Sequence, residues 1–134
     1  MVRLRTKGID FKLFIGFFLV TFTMSILNIN QSSLLSLNFI TGSFGNIGGV
    51  IVASFLFNCF SEKTEFIDRS IISLAAGTGL FVYEFLQKWI PLRTFDKNDL
   101  LGSFIGVIFA ILINGIVIIT IKFTEFRKAR KTEH

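Results

Sequence analysis

Apolar positions along this chain neither alternate nor recur at amphipathic spacing; they run on. No Asp, Glu, Lys, Arg or His occurs between Leu13 and Ser61, and the stretch from Leu100 to Ile121 is equally free of charge. Uncharged runs of about 20 residues are what crossing a bilayer requires. Polar breaks divide the pattern into four apolar segments, at about 11–29, 39–60, 70–90 and 100–121. A backbone facing lipid must satisfy its own hydrogen bonds, so the pattern predicts an all-α, polytopic membrane protein: four transmembrane helices in a compact bundle.

The first break is the polar cluster at 28–33, and the apolar residues 34–37 after it are expected to rest in the membrane interface. The second, Ser61-Glu-Lys-Thr-Glu65 with Asp68 and Arg69, reads as a charged turn. The third holds the only proline, Pro91. None is long enough to hide a soluble domain, so residues 1–134 read as one transmembrane unit.

Composition agrees with this picture. The chain is 51% apolar and 17% charged, with a mean hydropathy of +0.67, which excludes a disordered chain and argues against a soluble one. A net charge of +5 could suggest nucleic acid, but the cations flank the apolar segments, as membrane anchors do, so no nucleic-acid partner is expected. Arg3, Arg5, Lys7 and Lys12, then Lys63 and Arg69, then Lys122, Arg127, Lys128, Arg130 and Lys131 fall on one side of a four-span topology. Only Lys88, Arg93 and Lys97 fall on the other. The positive-inside rule therefore makes both termini cytoplasmic and the Pro91 loop external, with the basic tail against anionic lipid. The basic start could head a signal peptide, but no small-x-small cleavage site follows it, so the first segment reads as a span. The single Cys59 excludes an intrachain disulfide.

Two segments carry small residues four apart, Gly45, Gly49 and Ala53 in the second and Gly102, Gly106 and Ala110 in the fourth. Such stripes let helix backbones approach, and Gly45, Gly49, Gly102 and Gly106 are the expected packing positions. Asn114 extends the second stripe. A weak internal echo, Asn38-Phe-Ile-Thr-Gly-Ser-Phe44 and Asn98-Asp-Leu-Leu-Gly-Ser-Phe104, is compatible with a two-plus-two parallel repeat, as in some transporters.

Candidate chemistry is sparse. Glu84 lies within the third segment, where a carboxylate costs roughly 2.5 kcal/mol or more unless it is paired or hydrated, and such residues are functional candidates by default. Helical spacing puts Gln87 and Lys88 on its face, and Pro91 turns the chain so that Arg93, Asp96 and Asp99 can fold back over it. Glu84, Gln87, Arg93, Asp96 and Asp99 form the only polar constellation that the pattern picks out. Asp96 and Asp99 also suit the start of a helix. An Arg among three carboxylates can neutralise the site while leaving hydrogen-bond capacity for an amide, hydroxyl or ammonium headgroup. No nucleophile–base pair, zinc-ligand cluster or nucleotide loop is present, so neither a catalytic set nor a metal or cofactor is expected.

The residues Glu84-Phe-Leu-Gln87, Pro91-Leu-Arg93-Thr-Phe-Asp96-Lys-Asn-Asp99 and Gly106 resemble the signature of the VanZ-like family of small bacterial membrane proteins. The stretch Thr41-Gly-Ser-Phe-Gly-Asn46 is similar to a Gly-x-x-x-Asn segment of its short members. The chain departs from the pattern at Ser103, where many members carry Asn, and lacks an Asp-Lys-x-x-His motif; its only histidine is His134. The resemblance implies a multi-pass protein of the bacterial cytoplasmic membrane, acting at its outer face on cell-envelope precursors or lipids. The family takes its name from glycopeptide resistance, and no reaction is established for it. The missing histidine motif favours a binding role over catalysis. The alternative expectation is a small transporter or channel subunit, with Glu84 as a proton or cation site, which four helices could support only as a homo-oligomer.

Overall fold

A computed structural model describes residues 2–31, 38–61, 64–89 and 97–132. Its order is α1 (Val2–Gln31), α2 (Asn38–Phe60), α3 (Phe66–Leu86), a 3-10 turn (Gln87–Trp89) and α4 (Lys97–Thr132). All four helices are long and apolar enough to cross a membrane, and no strand occurs among the described residues. The expected multi-pass helical bundle is thus the observed one. The interfacial stretch at 34–37 lies outside the described residues, as does most of the Pro91 loop.

Local chemistry sets the helix ends. α3 starts after Glu65, whose extended backbone (φ −72°, ψ 148°) precedes the first turn, and Asp68 in that turn complements the positive end of the helix dipole. The helix therefore begins at Phe66, earlier than the expected boundary at 70, and takes in Arg69. At its other end α3 tightens into Gln87–Trp89 before Pro91, which has no N–H to offer the carbonyl four residues back. α4 runs on to Thr132, well past the expected boundary at 121. Helix-borne hydroxyls satisfy themselves within the apolar segments: Ser54, Thr78 and Thr120 each donate to the carbonyl four residues back.

α2 is central, packing against α1, α3 and α4, whereas α1 and α3 do not pack against each other. Lipid tails are as apolar as leucine, so close backbone approach and dispersion hold such a bundle together. α2 and α4 lie side by side and run the same way, Gly102 against Ser43, Gly106 against Ile47 and Val50. A Cβ on Gly102 would come within 2.8 Å of the Ser43 carbonyl oxygen, and one on Gly106 within 2.9 Å of that of Ile47. Gly48 makes room for Thr21 of α1, and Gly77 of α3 makes room for Val107 of α4. Gly49 is in ordinary contact with Leu80 of α3. Gly45 departs from the expected stripe: it is exposed, with nothing within 4 Å of a Cβ placed there. Spacing by four drifts around a helix, and the faces of α2 that meet α1 and α4 carry Gly48 and Ser43 instead.

The apolar middle is built on Ile51, Phe55 and Ala110, flanked by Leu13, Phe14, Phe17, Ile47 and Ile113. Phe17 stacks on Phe55 with centroids 6.1 Å apart and planes 8° from parallel. Outside this seam α1 presents Phe11, Phe18, Leu19 and Phe22 outward, where lipid would cover them.

Candidate functional site

Two polar layers close the ends of the bundle. Both draw on the buried face of α3, which carries Arg69, Ser73, Ala76, Gly77 and Glu84. At 1.5 Å per residue Arg69 and Glu84 lie about 22 Å apart along the helix, with the apolar middle between them.

At the end of the Pro91 loop, the loop end, Glu84 is only 2% exposed and Gln87 6%. Asn46 of α2 donates from Nδ2 to Glu84 Oε1 at 3.3 Å. Ser43 Oγ donates to the carbonyl of Asn98 at 2.9 Å, joining α2 to the first turn of α4. Asp99 stands in that turn, half-buried, and its carbonyl accepts from Ser103 Oγ at 3.1 Å. Of the expected set, Glu84 and Gln87 are therefore brought inward together, with Asp99 on the neighbouring helix. Arg93 and Asp96 lie outside the described residues. Lys88 does not share the buried face: it is exposed, with Nζ 4.8 Å from the Phe85 ring centroid. The tighter 3-10 turn after Leu86 rotates it away from the position that α-helical spacing would give.

The end that carries the termini, the terminal end, holds the larger network, so the Glu84 group is not the only polar constellation. Arg69 Nη1 donates to Asp10 Oδ2 at 2.8 Å, and Nη2 donates to Asp10 Oδ1, a two-pronged pair with both side chains 1% exposed. Arg69 Nη2 and Nε also donate to Asn114 Oδ1, at 2.8 and 3.1 Å. Asn58 Nδ2 donates to the same oxygen at 3.2 Å. Asn114 Nδ2 in turn donates to Ser73 Oγ at 3.0 Å, and Ser73 Oγ to the Arg69 carbonyl at 3.2 Å. All four helices are thereby tied together, and the long Arg69 side chain links α3 to α1 where their backbones stay apart.

Sequence reading places Arg69 among the loop cations and passes over Asp10, which stands between Lys7 and Lys12. Asn58 and Asn114, polar residues inside uncharged runs, were the available signal. Apart from Asn58 Oδ1, which is buried without a hydrogen-bond partner, this layer turns its donors and acceptors on one another and acts as a clasp. The loop-end layer instead offers an acidic acceptor with amides beside it, able to take hydrogen bonds from an ammonium, hydroxyl or amide group. Among the described residues no group of three or more His, Cys, Asp or Glu is placed to hold a metal ion. Comparison with family models, curated proteins and solved structures finds no match for this chain.

Proposed function

We propose that this is a bacterial cell-envelope membrane protein that binds the headgroup of an envelope lipid or precursor at the external membrane face. Glu84 and Gln87 form the floor of the site, with Asp99 at the start of α4; Arg93 and Asp96, which lie outside the described residues, complete the set expected from the sequence. The observation that carries the reading is the Glu84 carboxylate, 2% exposed at the loop end and approached by the Asn46 amide. Carboxylates within membrane spans are rare and mark functional sites by default, and packing alone does not require one. The distribution of Lys and Arg supports the external assignment, and the resemblance to the VanZ-like family supports the envelope as the place of action.

Native mass spectrometry of the detergent-solubilised protein tests this by comparing wild type with Glu84→Gln for co-purifying lipids or envelope precursors. The expected result is a species bound to wild type and lost from the variant, with both proteins equally helical and monodisperse. Equal retention in both would remove Glu84 from binding. An empty wild type with a Glu84-dependent proton or cation flux in liposomes would replace the binding role with transport.

A further inference from the structure

The apolar part of α4 ends at Ile121, yet the helix continues unbroken to Thr132. Its 36 residues give a rod about 54 Å long, against about 30 Å of hydrocarbon and about 40–45 Å with both headgroup layers. The basic segment is therefore a helical extension about 16 Å long, whose first turns stand at the level of the headgroups and whose last turns reach past them. Phe123 and Phe126 remain 54% and 60% exposed there. Each is roofed by an arginine four residues on: the Arg127 guanidinium carbon stands 4.5 Å from the Phe123 centroid, that of Arg130 5.2 Å from the Phe126 centroid. Positions 123, 126, 127 and 130 follow the i, i+3, i+4, i+7 rule and so share one face. A shallow concavity runs along it, to which Lys128 and Thr124 also contribute.

We propose that this face is a docking surface for the phosphate of an anionic phospholipid in the leaflet on the terminal side of the bundle. Phenylalanine is among the apolar residues that interfacial helices bury at the boundary between headgroups and acyl chains, and the two rings can fill that boundary here. A guanidinium lying over a ring keeps the edge bearing its N–H groups free, and two such forks one turn apart can converge on phosphate oxygens. The rings hold the cations ready, so little side-chain entropy remains to be lost on binding. The assignment is independent of the Glu84 site, which lies at the opposite end of the bundle.

The test is lipid titration of the full-length purified protein by native mass spectrometry, with phosphatidylglycerol and phosphatidylcholine as probes. Wild type is expected to retain phosphatidylglycerol in preference to phosphatidylcholine. Arg127→Gln/Arg130→Gln should weaken that retention about 25-fold, roughly fivefold for each cation near the surface. Phe123→Ala/Phe126→Ala, which leaves every charge in place, should also weaken it severalfold, with unchanged melting temperature in both variants. Equal uptake of the two lipids, or arginine variants that bind as wild type does, would overturn the assignment. Retention unaffected by loss of the rings would also overturn it, leaving only diffuse attraction to a basic helix, and displacement by millimolar inorganic phosphate would reject a lipid as the occupant.

Discussion

Removing one member of the Asp10–Arg69 pair should destabilise the bundle far more than removing both. The Arg69 guanidinium makes four donations, two to Asp10 and two to Asn114 Oδ1, in surroundings where both charged side chains are 1% exposed. In Asp10→Leu, two of these donations vanish and a full positive charge stays buried with only an amide oxygen to face. In Arg69→Met the carboxylate is left in the same position. The penalty for an uncompensated buried ion puts each single substitution at about 3–5 kcal/mol, whereas replacing both ions with packed apolar side chains is expected to be close to neutral. The double variant Asp10→Leu/Arg69→Met should thus recover most of the loss, a coupling of several kcal/mol between residues on helices whose backbones stay apart. The assay is reversible unfolding in mixed micelles, followed by circular dichroism for wild type, both single variants and the double variant. Intramembrane hydrogen bonds between neutral side chains average only about 0.6 kcal/mol. Single variants within about 1 kcal/mol of wild type, or losses that simply add, would refute the view that this layer is a desolvated clasp.

Other expectations follow from the same geometry. Gly102→Val and Gly106→Val should each cost about 1–3 kcal/mol, because the new side chain meets the α2 backbone, while Gly45→Ala should stay within about 0.5 kcal/mol; detergent melting curves separate them. Asn114→Ala should cost about 1–3 kcal/mol by removing the shared acceptor of Arg69 and Asn58, measured in the same unfolding assay. In a Cys59→Ser background, an impermeant thiol reagent added to intact cells should label Lys97→Cys and spare Thr64→Cys, and the reverse pattern would invert the topology read from the cations. Glu84→Gln should abolish any cellular phenotype while leaving membrane insertion intact; full activity in that variant would remove the loop-end site from function.

The spans were legible because an uncharged run of membrane length has few alternative fates, and their limits were not, because helix termini depend on local caps. Arg69 shows the difference. Beside Asp68 it reads as loop charge, but Glu65 supplies the extended residue that starts α3 early enough to carry Arg69 inside. Asp10 was hidden for a related reason, since a carboxylate flanked by Lys7 and Lys12 looks like interfacial solvation until its partner on α3 is known. Glu84 was visible because it stands alone in an apolar segment, and its contact with Asn46, thirty-eight positions away, is a tertiary fact that spacing along one helix could not supply. The echo between 38–44 and 98–104 is better understood in space: the two segments open adjacent helices that run the same way, with Ser43 bonded to Asn98 and packed on Gly102.

The separation of Asp10 from Arg69 also orders the protein's birth. The acid leaves the ribosome 59 residues ahead of the base, an interval of about 3–12 s at ordinary rates of synthesis. For most of that time α1 stands before α2 is complete, and until α3 arrives Asp10 lacks the guanidinium that pairs with it in the finished bundle. Arrival of α3 converts that provisional insertion into a settled one.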